Sequence, residues 1–163
     1  MNYNQELVNQ VSSRLLDIGN TIAVAEGATS GHLQAALSAA THAPLFYEGG
    51  ITVYNVKQKV QLLDVEPEDA VSSNSVSEKV AVQMALQCSR IFMSNIGVGI
   101  TGYTSPPLYN ERMELYACFA ITRHGWVVDS GTISNYRKEK PADLQFYYTE
   151  KLLERLAETL AGL

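Results

Sequence analysis

The sequence predicts an α/β fold: a three-layer α/β/α arrangement around a mixed sheet. Three observations carry that prediction. Segments with helical spacing alternate with short apolar runs in the order α-β-α-β-α-α-β-β-β-α. His124-Gly125 joins two strand-patterned runs as a two-residue hairpin, so one strand pair is antiparallel. The earlier runs are separated by helical segments, which makes the sheet mixed and puts helices on both of its faces.

Taken in order, the first helix spans about Gln5 to Ile18, with Leu7, Val8, Val11 and Leu15 on one face. Gly19-Asn20 ends it. Thr21 to Ala25 reads as a buried strand. A second helix follows from about Ser30 to Ala40, with Leu33, Ala36, Leu37 and Ala40 inward. Thr41 to Pro44 is a loop, because Pro44 cannot continue a helix. Ile51, Val53 and Tyr54 favour a strand, and Gly49-Gly50 before them marks a bulge or a close backbone approach. Asn55 caps a short helix carrying Val56, Val60 and Leu63. Pro67 to Asn74 is a polar connection. Ser75 and Glu78 fit a capping box for a core helix to about Phe92, with Val76, Val80, Met84, Cys88 and Ile91 as its apolar stripe. Ile96, Val98 and Ile100 alternate into a strand that ends at Thr101-Gly102. Glu114 to Thr122 is apolar on both faces and reads as a central strand. Trp126 to Asn135 is its hairpin partner. Pro141 opens a last helix in which Leu144, Tyr148, Leu152, Leu156 and Leu160 recur every four residues.

Composition narrows the function classes. With 163 residues, 46% of them hydrophobic and 18% charged, the chain suits one globular domain with a sizeable core. A net charge of −5 argues against a nucleic-acid binder, which needs a basic face. No apolar run approaches the roughly 18–20 residues of a membrane span. The N-terminal residues lack a signal-peptide pattern. Cys88 and Cys118 read as buried free thiols, consistent with a reducing cytoplasm. No Cys/His cluster has zinc-like spacing, so neither a metal nor a cofactor is expected.

The chemistry concentrates in Ala25-Glu26-Gly27-Ala28-Thr29-Ser30-Gly31. A strand, a turn of small residues and a helix start make a place to hold negative charge, because the first N–H groups of a helix lack internal partners. Such a turn can also carry a nucleophile before an oxyanion hole. The plainer alternative is a β-α turn with Thr29 or Ser30 as N-cap. Lys57 and Lys59 lie in the first turn of the helix after Tyr54, the electrostatically unfavourable end for a cation. They point to a ligand, or else to two solvated lysines.

Four blocks in order resemble the C-terminal domain of the competence/damage-inducible protein CinA, the nicotinamide mononucleotide amidase (PncC-like) family. They are Ala25 to Gly31; Gly49-Gly50-Ile51-Thr52-Val53-Tyr54 with Lys59 five residues on; Val76-Ser77-Glu78-Lys79-Val80-Ala81-Val82-Gln83-Met84-Ala85; and Thr101-Gly102-Tyr103-Thr104-Ser105-Pro106. The family counterparts are an Ala-Glu-Ser-x-Thr-Gly-Gly turn, a Gly-Gly-x-Val-x-Tyr strand with a following lysine, a Val-Ser-x-x-Val-Ala-x-x-Met-Ala helix and a Thr-Gly-x-Ala-Gly-Pro loop. The resemblance implies hydrolysis of the carboxamide of nicotinamide mononucleotide to nicotinate mononucleotide and ammonia. It implies a serine nucleophile, with Lys59 as its base and Tyr54 assisting. It also implies a cytoplasmic protein with a small nucleotide ligand, and a homodimer is plausible.

The serine position of the pattern is Gly27, which has no side-chain oxygen. Loss of the nucleophile in a serine hydrolase costs roughly 10⁶ in turnover. Ser30 stands at a family glycine, Ser105 at the glycine of Ala-Gly-Pro, and no Pro-Val-Gly element occurs near Met113-Glu114-Leu115. Arg137 stands in for an arginine before the last helix. The expected binding set is therefore Gly27, Thr29, Gly31, Gly49, Gly50, Thr101, Gly102, Thr104, Ser105 and Arg137, with Lys59, Tyr54 and Ser30 as catalytic candidates. Three readings follow: a lapsed amidase that keeps a pyridine-nucleotide-type pocket, an active amidohydrolase using Ser30 or a Lys59-activated water, or a structural or interaction protein.

Overall fold

The computed structural model describes residues 2–111, 113–135 and 140–163. Its elements are α1 (Gln5–Asp17), β1 (Ile22–Glu26), α2 (His32–Ser38), a 3-10 turn (Ala43–Leu45), β2 (Tyr47–Thr52), α3 (Val56–Leu63), α4 (Pro67–Ser72), α5 (Glu78–Ile91), β3 (Ile96–Gly102), β4 (Leu115–Arg123), β5 (Trp126–Asn135) and α6 (Pro141–Ala161). One five-stranded sheet runs in the order β2-β1-β3-β4-β5. β1 is parallel to both neighbours, and β3, β4 and β5 are antiparallel to one another in turn. The sheet is mixed and has helices on both sides, as the sequence predicts.

The alternation of side chains along each strand splits the core in two. Ile22 and Val24 of β1 and Ile96, Val98 and Ile100 of β3 face α1, α2 and α6. There they meet Val11, Leu15, Leu37, Tyr148, Leu152 and Leu156, all fully buried. Ala23 and Ala25 face the other way, toward Leu63, Val80, Met84 and Cys88 of α3 and α5. α5 lies very close to the sheet, because β3 contributes glycines where the helix crosses. A Cβ at Gly97 would stand 2.1 Å from the Ala85 carbonyl oxygen, and one at Gly99 would stand 2.3 Å from that of Ala81.

The parallel strands fix the position of the site. β1, β2 and β3 all end at one edge of the sheet, and the chain leaves β1 for β2 on one side and reaches β3 on the other. A crevice at such a point is where open α/β sheets bind ligands. Val53 N–H donates to the Glu26 carbonyl at 2.8 Å, and Gly27 N–H donates to the Ile100 carbonyl at 2.8 Å. These two bonds tie the three strand ends together just beyond the sheet.

Several expectations need correction. Residues 67–74 are not a plain connection: Pro67 opens α4, with Glu68 and Asp69 in its first turn and Ala70 buried. Its single inward residue gives no periodic stripe, so only its helix-start chemistry was visible. The N-cap of α5 is Ser77, whose Oγ accepts from Val80 N–H at 3.2 Å, and not Ser75. Asn74 and Ser75 both take left-handed backbone, with φ 48° and 62°, and this turn separates α4 from α5. Pro44 sits inside a 3-10 turn rather than a loop, as such a turn tolerates proline at its start. β2 begins at Tyr47 and ends before Tyr54, because Gly49 and Gly50 pair with Ala23 and Val24. The expected irregularity at the Gly pair is a register shift between Ile22 and Ala23. Ile91 is 51% exposed and leaves the α5 stripe. The hairpin at His124-Gly125 is present, with φ 49° and 83°. The last helix buries all five of its four-spaced residues.

Candidate functional site

The β1–α2 turn does hold a negative charge, but the group it holds is its own Glu26. The side chain is fully buried. Its carboxylate accepts from Gly31 N–H at 3.1 Å, Leu33 N–H at 3.1 Å and Gln34 N–H at 2.8 Å, and from the Thr29 hydroxyl. The unpartnered N–H groups at the start of α2 are thereby used internally. The expectation that this helix start serves a ligand is corrected: α2 is closed, and the open part of the turn is Gly27-Ala28.

A cleft of about 230 Å³ opens beside those two residues. Its wall comes from Tyr54, the cap Asn55 and the start of α3 (Val56 and Lys59), from the α4–α5 turn (Asn74, Ser75 and Val76), and from the last residue of β3 and the loop after it (Gly102, Tyr103, Thr104 and Ser105). Among the described residues, Lys59 is the one charged residue in this wall. It is 4% exposed, and it has no ion pair among the described residues. Burial without a compensating carboxylate pushes its amine down to about 8. α3 presents it because Asn55 caps the helix, its side chain accepting from Gln58 N–H at 3.0 Å. Lys57, two residues earlier, is exposed. The two first-turn lysines therefore separate: one is a solvated surface residue and the other a buried amine facing the cleft.

Gly27 lies opposite that amine. A Cβ built on Gly27 would stand 3.5 Å from Lys59 Cε, 3.3 Å from the Val53 carbonyl oxygen and 3.4 Å from that of Ile100. Its backbone is not in the left-handed region, so φ admits a side chain, which would fit once the two carbonyls give by a few tenths of an ångström.

The other expected residues divide into two groups. Tyr54 lines the mouth and is 73% exposed. Gly102, Thr104 and Ser105 line the cleft. Thr29 is buried against Glu26. Ser30 turns toward α6: its hydroxyl donates to the Gly27 carbonyl at 3.3 Å and accepts from Gln145 Nε2 at 3.3 Å. Gly31 caps α2 with φ 98°. Gly49 and Gly50 are packed by Phe92 and Gln34 respectively, away from the cleft. Thr101 is buried, and its hydroxyl donates to the Ser75 carbonyl. Arg137 lies outside the described residues. Sequence reasoning missed Asn74, Ser75 and Tyr103 as cleft residues. Tyr103 donates or accepts with Tyr109 and accepts from Asn74 Nδ2 at 3.2 Å, and burial pushes its phenol up to about 12. The available signal was Tyr103 at the end of a strand inside the Thr101 to Pro106 loop; its neighbour Asn74 lies 29 residues away and carried none.

A mixed five-stranded sheet with this crevice at its switch point defines the class of protein. The model of the CinA C-terminal domain matches residues 4–128, and the chain belongs to that family. It is 37% identical over 102 residues to a CinA-like protein of Trichodesmium erythraeum, a match covering 63% of this chain and 24% of that one. It is 32% identical over 102 residues to Protein YdeJ of Escherichia coli, covering 63% of this chain and 59% of that protein. The chain thus matches about a quarter of the length of the first of these relatives. Among solved structures, a competence or damage-inducible protein from Enterobacter asburiae superposes with a TM-score of 0.86 at 27% identity, covering 98% of this chain and 99% of that one. A CinA superfamily protein from Klebsiella pneumoniae gives 0.88 at 23% identity, over 99% and 100% of the two chains, and shares the fold. No helix among the described residues is long and apolar enough to cross a membrane.

Proposed function

We propose that this protein is a lapsed nicotinamide-nucleotide amidase that keeps a cleft for a pyridine nucleotide or a related anionic ligand. The observation that carries the reading is the pairing of Gly27 with Lys59. A buried amine without a carboxylate partner is costly, and it faces a glycine whose missing Cβ would stand 3.5 Å from Lys59 Cε. A serine at 27 would put its hydroxyl beside a lysine that is neutral often enough to act as a base. Without that hydroxyl the acyl-transfer step has no attacking oxygen, and the pocket and base remain.

Charge supports an anionic ligand. The protein carries −5 overall, yet no carboxylate lines the cleft among the described residues. At about 230 Å³ the cleft is smaller than the roughly 300–1,000 Å³ of sites for drug-sized ligands, so it suits one ring and its substituent. The rest of a nucleotide would extend past exposed Tyr54. The position of Ser30, hydrogen-bonded toward α6, weighs against its acting as the nucleophile.

Titration calorimetry with nicotinamide mononucleotide tests the binding half of this reading. Saturable binding is expected, weakened about tenfold or more in Lys59→Ala, the scale of losing a charged hydrogen bond. Absence of binding, or binding indifferent to Lys59, would count against the retained pocket.

A further inference from the structure

We propose that Lys59 is itself a reactive group: a cleft-bound amine that condenses with the carbonyl carbon of a small aldehyde or ketone to form an imine. The proposal uses the glycine opposite Lys59 but does not depend on the amidase reading. Three observations carry it. The side chain is buried yet lines an open cleft, so its amine is shielded from bulk water and still reachable by a ligand. No carboxylate pairs with it among the described residues, so nothing holds the proton on nitrogen. Gly27 lines the same cleft and places no side chain against Lys59, so a carbonyl compound in the cleft can approach the amine from that side. Desolvated lysines of this kind serve as Schiff-base nucleophiles.

The step balances without an oxidant or reductant. The neutral amine adds to the carbonyl carbon, forming the C–N bond, and its proton passes to the carbonyl oxygen to give a carbinolamine. A second proton, taken from solvent, lets that oxygen leave as water as the nitrogen lone pair closes the C=N bond of an iminium, and loss of the remaining N–H proton to solvent gives the imine. Thr104 and Ser105 line the same cleft and offer hydroxyls to carry the proton to the leaving oxygen.

The test is reductive trapping on the intact protein. Glyoxylate is the probe, cyanoborohydride reduces any iminium to a stable secondary amine, and peptide mass mapping reads the site over time at pH 7. The exposed Lys57 and Lys79 serve as internal references, since glyoxylate labels any accessible amine slowly. With its amine at about 8 against an ordinary 10.5, Lys59 has roughly a hundredfold or more neutral amine at pH 7. Restricted access reduces that advantage, so labelling on the order of tenfold faster than Lys57 is expected. The Lys59 rate should also rise with pH and level off near 8 to 9, while the Lys57 rate continues to climb. Labelling of Lys57 and Lys79 without Lys59, or at equal rates with the same pH profile, would overturn the proposal. Neither outcome bears on nicotinamide mononucleotide binding, which titration calorimetry measures separately.

Discussion

At the scale of single residues, the site is a contrast between one glycine and one lysine. Gly27 tolerates a side chain: a Cβ there would meet its neighbours at 3.3 to 3.5 Å, which small shifts absorb. Lys59 is the residue that costs stability. Its folded-state amine sits near 8, below the ordinary 10.5 that it has in the unfolded chain. Below pH 8 the amine is charged in both states, and the full cost of burying that charge is present. Between 8 and 10.5 the unfolded chain binds more protons than the folded one, so stability rises with pH across that window. Lys59→Met should therefore be more stable than the parent at pH 7, by up to about 3 kcal/mol. The gain should shrink steadily up to pH 10.5, as read from urea unfolding midpoints at each pH. The identities of Lys59, Tyr54 and Gly27 were legible in the sequence because family-like spacing marks them. The separation of Lys57 from Lys59 was not, because two residues along a helix turn a side chain through about half a circle, and only packing decides which one is buried.

At the scale of elements, the strands and long helices were legible from periodicity, and the pieces between them were not. α6 was readable because Leu144, Tyr148, Leu152, Leu156 and Leu160 repeat over a long stretch, and all five are fully buried. α4 carries one buried alanine in six residues, which leaves no period to read. The Asn74-Ser75 turn was missed for a related reason. The two successive left-handed non-glycine residues are held by bonds back to α4, Asn74 N–H to the Val71 carbonyl at 3.2 Å and Ser75 N–H to the Ala70 carbonyl at 2.6 Å, whereas in the sequence the hydroxyl of Ser75 reads as a cap. That same turn supplies one wall of the cleft, so the least legible element is one that shapes the candidate site. The glycines of β3 test how tightly α5 is set. Gly99→Ala would drive a methyl to 2.3 Å from the Ala81 carbonyl oxygen, and backbone cannot rotate away as a side-chain tip can. We expect a loss of about 3 kcal/mol or more with an unchanged m-value. Gly27→Ala, by comparison, should change stability by less than about 1 kcal/mol. Equal effects at the two positions would contradict this packing.

At the scale of the whole molecule, topology explains why residues so far apart in sequence share one cleft. The parallel strands end at one edge, and the chain departs from β1 to opposite sides, so the turns after positions 26, 52 and 102 converge. The mixed sheet and its two helical layers were legible from element order alone. Which strand-end residues face the cleft was not, because Glu26 takes over the start of α2 and draws Thr29 and Gly31 inward with it. A buried carboxylate serving the helix that follows looks, in sequence, like any strand-terminal glutamate. On the proposed reading, the fold keeps a buried lysine, the cleft mouth and the crevice around an apex without a side chain.

Ammonia release from nicotinamide mononucleotide tests that account most directly, comparing the unaltered protein with Gly27→Ser, and with Gly27→Ser carrying Lys59→Ala. The account predicts no release by the unaltered protein, release by Gly27→Ser, and its loss when Lys59 is also removed. Release by the unaltered protein that vanishes in Lys59→Ala alone would contradict it, showing that the cleft hydrolyses the amide with a nucleophile other than residue 27.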